Sequence, residues 1–138
     1  MCLGEVILDK KDVLMQLTNR GYRPEMIVPP GLYFVLINPT MEELYWRGVV
    51  LNLLEKHAPK GSHIALIWSS IAFASWHYLV FRVLIRPTWA EVCIFILAFI
   101  GMSQVCIYRR TKSIIVAILW HSLGLDLAVM IVFISLTC

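Results

Sequence analysis

The chain has 138 residues, room for one domain, and is 59% hydrophobic and 15% charged, with a mean hydropathy of +0.76. Soluble domains average about 45–50% apolar and about 25% charged residues, so the expected solvent is lipid. The net charge of +3 is mild and its carriers are scattered, which excludes a nucleic-acid partner, since that needs basic residues gathered on one face.

Residues 1–30 read as a polar N-terminal arm. A short amphipathic stretch, Asp9 to Asn19, ends at Gly21 and is expected to lie on the membrane surface or pack as a small helix. The arm has no basic-then-apolar signal pattern. Pro24, Pro29, Pro30 and Gly31 then break helical structure. The first apolar segment runs from Leu32 to Glu55, interrupted by Asn38-Pro39-Thr40, which predicts a kink or a helix restart with acids in its first turn. The second, Ser62 to Ile85, reaches about 36 Å at ~1.5 Å per residue, enough to cross a bilayer. The third spans Trp89 to Tyr108 and the fourth Ser113 to Leu136. Soluble core helices are the alternative for each run, but four such runs in one short chain weigh against it.

The basic residues fall between these runs, as in loops flanking membrane helices, although counting them by side does not orient the chain. Cys2, Cys93, Cys106 and Cys138 show no paired spacing and read as small buried or terminal hydrophobes. The expected fold is therefore all-α: an integral, multi-pass transmembrane bundle of about four core helices.

Ionisable groups inside apolar helices are costly, which makes them functional candidates: Glu42, Glu43, Arg47, His77, Glu91, His121 and Asp126. In Glu42-Glu43-Leu44-Tyr45-Trp46-Arg47, Glu43 and Arg47 stand at i and i+4 and can pair. Glu42 points about 100° away and is left free. A carboxylate without a partner in a low-dielectric site is a candidate general base; the plainer reading is an acid pair at a helix start. Phe73 lies one turn before His77, so its ring can pack on the imidazole, though a lone His on an apolar face is more often a core residue. His121 adds a second imidazole. Two His and a Glu could bind a metal, or act as a base with an oxyanion-stabilising pair. Counted along straight antiparallel helices, Glu42 lies about 15 Å and His77 about 12 Å from their shared face, but His121 roughly 23 Å, so its helix would need to tilt or shorten.

EExxxR, then FxxxH about 30 residues later, then Trp120-His121 after the turn Arg109-Arg110-Thr111-Lys112-Ser113, resembles the CPBP intramembrane protease family. That family holds the type II CAAX prenyl endopeptidases and bacterial members linked to bacteriocin processing or self-immunity. The likeness covers Asn38 to Leu127, with Gly48 completing the first motif and Trp46 replacing its usual Phe. It implies an intramembrane protease core over residues 31–138. In that core Glu42 activates water, His77 shares it, His121 stabilises the oxyanion, and Glu43, Arg47, Phe73 and Asp126 support them. It implies membrane lipid and a peptide or protein substrate, prenylated in CAAX processing, as partners. Zinc on Glu42, His77 and His121 is the alternative to a metal-independent glutamate mechanism, although no HExxH is present. One departure concerns the last motif, His-x-x-x-Asn or Asp: here the acid is Asp126, one place late, and an ideal helix points it away from His121. A π-bulge near Gly124 would restore alignment. Two other classes stay open: a non-catalytic membrane binding or immunity protein on the same scaffold, and a transporter piece in which the Glu and His relay protons.

Overall fold

The computed structural model describes residues 28–60, 62–84 and 86–137, with Lys11, Met15, Thr18, Asn19, Gly21 and Arg23 before them. The amphipathic stretch expected over Asp9–Asn19 lies largely outside the described residues, as do Cys2 and Cys138. Among the described residues the regular structure is all helical, with no strand.

The first apolar segment is one unbroken helical run in five pieces: α1 (Val28–Leu32), π1 (Tyr33–Ile37), α2 (Asn38–Glu43), π2 (Leu44–Leu51) and α3 (Asn52–His57). The joining residues Leu32, Ile37, Glu43 and Leu51 all keep right-handed helical angles. Pro39 therefore does not restart a helix but lies inside a continuous helical run. A proline has no N–H to give and its ring crowds the carbonyl four residues back, here that of Val35. The wide turn of π1 immediately precedes it, and the Val35 carbonyl accepts instead from the Ser122 hydroxyl at 2.5 Å.

The remaining elements are α4 (Ile64–Leu84), α5 (Pro87–Thr111), α6 (Ile114–Trp120), π2's later counterpart π3 (His121–Asp126), and α7 (Leu127–Thr137). Lys112 closes α5 in the left-handed region (φ 53°), its N–H donating to the Tyr108 carbonyl. Ser113 then caps α6 by accepting from the Val116 amide.

Three stretches are long and apolar enough to cross a membrane: Ile64–Arg82, Thr88–Thr111 and Ile114–Ile134. Four were expected. The first run falls short because Asn38, Pro39, Glu42, Glu43 and Arg47 lower its hydropathy.

Helices α4 and α5 make the most extensive contact in the bundle. Small side chains allow it: Ala65, Ser69, Ser70 and Ala74 are buried on α4, and Ala90 and Gly101 on α5. At Gly101 an added Cβ would stand 3.2 Å from the Phe73 ring and 3.3 Å from the Ser70 Cβ, tight enough that one of them must shift by a few tenths of an ångström. Trp46, Phe73, Ala74 and Leu97 form one apolar core; Leu51, Ala65 and Val105 form another.

Burial is inverted relative to a soluble protein. The inside holds Glu43, Arg47, Ser69, Ser70, Gln104, His121, Ser122 and Asp126, whereas Leu79, Phe95, Phe99 and Ile115 are more than half exposed. Water would penalise such an outside, and lipid does not.

Candidate active site

The site grows from the last turn of α2. Glu42 and Glu43 are neighbours, so their side chains diverge by about 100°. Glu43 turns fully inward and Glu42 stays half-buried. Glu43 Oε1 accepts from Arg47 at 2.8 Å, the pairing its i,i+4 spacing predicts. Both groups are buried, so removing either would strand the other's charge at a cost of about 3–5 kcal/mol. The other terminal nitrogen of Arg47 donates to the Gln104 side-chain oxygen and to the Gly101 carbonyl, both on α5. The guanidinium also lies over the Phe73 ring, 4.9 Å from its centroid. One arginine thus ties α5, α4 and the first helical run together.

His77, on α4, donates from Nδ1 to the Phe73 carbonyl at 2.8 Å; a carbonyl can only accept, so that nitrogen carries the proton. Nε2 is thereby aimed at Glu42, 3.6 Å from Oε2. The Phe73 ring packs on His77 at 4.6 Å between centroids and meets His121 edge-on at 5.9 Å. His121 donates from Nδ1 to Glu43 Oε1 at 2.8 Å. Its Nε2 lies 3.8 Å from Glu42 Oε2 and 3.4 Å from Asp126 Oδ1. Asn38 donates to Glu42 Oε1 at 3.3 Å, which steadies the carboxylate and leaves Oε2 toward the two rings.

Six of the seven ionisable residues singled out in the sequence therefore share one cluster. Glu91 does not: it is exposed near the start of α5. His121 comes within 3.8 Å of Glu42 despite the straight-helix count. The π3 turn carries Asp126 back onto the His121 face, across a spacing that an α-helix would misalign. Cys93 and Cys106 are free; Cys106 is exposed rather than buried, because its face of α5 points outward.

Three partners escaped the sequence reading: Gln104, Asn38 and Ser122. All are uncharged. A buried Gln inside an apolar run costs free energy as a His does, and that signal was available for Gln104. Glu43 also does more than its motif suggests, since one of its oxygens serves both Arg47 and His121. Among the described residues, no group of three or more His, Cys, Asp or Glu is set out as a metal site.

The described residues form a helical bundle with an apolar exterior and carboxylates and imidazoles gathered inside, a membrane protein with a buried polar site. Residues 24–124 match the family described as type II CAAX prenyl endopeptidase Rce1-like. The chain belongs to that family, a family of CAAX-type intramembrane endopeptidases. The match lies on the CAAX side of the resemblance and lends no support to bacteriocin immunity. No curated protein and no solved structure matches the chain.

Proposed function

We propose that this chain hydrolyses a peptide bond within the membrane, using a water activated by Glu42. The observation that carries the reading is the place of Glu42 Oε2, 3.6 Å from one imidazole nitrogen and 3.8 Å from another. Three atoms so spaced can share one water at hydrogen-bond distance from each. Glu42 takes a proton from that water as its oxygen bonds to the scissile carbonyl carbon. The carbonyl electrons move onto oxygen, and His121, as an imidazolium held through Nδ1–H by Glu43, donates from Nε2–H to the oxyanion. Collapse breaks the C–N bond, and the leaving amine takes the proton from Glu42. His77 positions the water, its tautomer set by the Phe73 carbonyl.

On this reading residues 31–138 form the protease core, with 1–30 as an accessory arm, and the chain passes through the bilayer several times. The substrate is a prenylated protein end of CAAX type, delivered along the membrane. Glu42→Gln and His77→Ala should each lower cleavage of such a peptide in proteoliposomes by about 10²–10⁴-fold, the usual worth of a general acid–base group. Full activity in both variants, with the protein still in the membrane, would rule the mechanism out.

One observation favours a second reading, a catalytically impaired binding protein on this scaffold. Asp126 sets a carboxylate 3.4 Å from His121 Nε2, where an oxyanion would be stabilised by donors rather than by another anion. On that reading Glu42→Gln leaves the cellular phenotype intact.

A further inference from the structure

At the end of the bundle where α3 turns into α4 and α5 into α6, a polar cleft of about 300 Å³ opens, well apart from the acid–imidazole cluster in sequence and in lining residues. Arg109 and Lys60 line it, with Ser62, Ala65 and Glu55. Arg109 donates through Nε to Glu55 at 2.7 Å. That bond orients the guanidinium and occupies Glu55, the one acid among the described lining residues, and among the described residues no hydrogen bond is made by the terminal nitrogens. The Ser62 hydroxyl oxygen is buried and makes no hydrogen bond within the protein. Ala65 belongs to the first turn of α4, a 21-residue helix whose leading amides have no acceptor inside it. The cleft thus combines a guanidinium, an ammonium, a hydroxyl and a helix N-terminus, four kinds of donor suited to one tetrahedral oxyanion. Lys56, Arg110 and Lys112 are exposed nearby and add to the positive field.

Depth identifies the bearer of that anion. One candidate membrane span begins at Ile64 and another ends at Thr111, so the cleft sits where hydrocarbon gives way to headgroups. We infer that this cleft binds the phosphate of an anionic glycerophospholipid. The inference is independent of peptide cleavage and stands whether or not Glu42 is catalytic.

The test is native mass spectrometry of the full-length, delipidated protein titrated with phosphatidylglycerol, phosphatidylcholine or inorganic phosphate. Phosphatidylglycerol should bind in one-to-one stoichiometry and phosphatidylcholine should not. Lys60→Gln and Ser62→Ala leave every recorded contact of the fold in place, and each should weaken phosphatidylglycerol by about tenfold, the worth of one charge-assisted hydrogen bond. Lys56→Gln and Arg110→Gln, outside the cleft lining, should weaken it far less. Equal losses in all four variants would reduce the effect to general surface charge and overturn the site. Equal binding of the two lipids, or displacement of phosphatidylglycerol by inorganic phosphate, would overturn the assignment to an anionic lipid.

Discussion

Glu43 is the residue on which the cluster turns. Its Oε1 accepts from both Arg47 and His121, so it joins a structural ion pair to an imidazole next to Glu42. Gln104 stands behind that arrangement. Its replacement by Leu removes an acceptor from a buried guanidinium and should cost about 1.5–3 kcal/mol, read as a lower unfolding midpoint in detergent. Because Arg47 would then be free to reorient, kcat should fall more than KM rises. Asp126→Asn exchanges an anion beside His121 for a hydrogen-bond donor. If His121 faces an oxyanion, kcat should rise, by up to about 10²-fold, the worth of one such donor. A loss of activity instead would mean that the carboxylate is needed to hold the ring.

At the scale of elements, the π segments are what make the site possible. π1 accommodates Pro39, and π3 absorbs the extra residue between His121 and Asp126. A π turn is a one-residue insertion in an α-helix, so deleting one residue from π3 should restore an α-helix with the acid at i+4. Deletion of the exposed Leu123 should therefore keep the fold, seen as a retained unfolding midpoint and monodisperse elution. Deletion of the equally exposed Phe99, in the uninterrupted α5, should destroy it. That change rotates Gly101 or its partners by about 100° and removes Arg47's acceptors from the interface. Neither π segment could be drawn from apolar periodicity, which at this resolution reads both as ordinary helix. Only the misplaced Asp126 hinted at one of them.

For the molecule as a whole, the decisive property is the inverted distribution of polarity. An outside of Leu79, Phe95, Phe99 and Ile115 around an inside of Glu43, Arg47, Gln104 and His121 is stable only with lipid as solvent. Leu79→Arg places a charge on that outside, one turn from the end of the Ile64–Arg82 span, and should raise the cost of insertion, though by less than the about 2.5–3.5 kcal/mol of a charge at mid-helix. Glycosylation-tagged insertion assays would record the drop, whereas Leu79→Phe should insert normally.

Composition and the length of the apolar runs together pointed to membrane helices, because 59% apolar residues gathered in such runs have no stable home in water. Spacing alone paired Glu43 with Arg47 and set Phe73 against His77, because a helix makes neighbours of residues four apart. Tertiary structure decided the rest. Which imidazole meets which carboxylate, where Gln104 finds its donor and Ser122 its acceptor, and how Asp126 returns to His121 depend on helix packing and on π turns. These are contacts between residues tens of positions apart, or departures from a regular helix, and local periodicity carries no information about either.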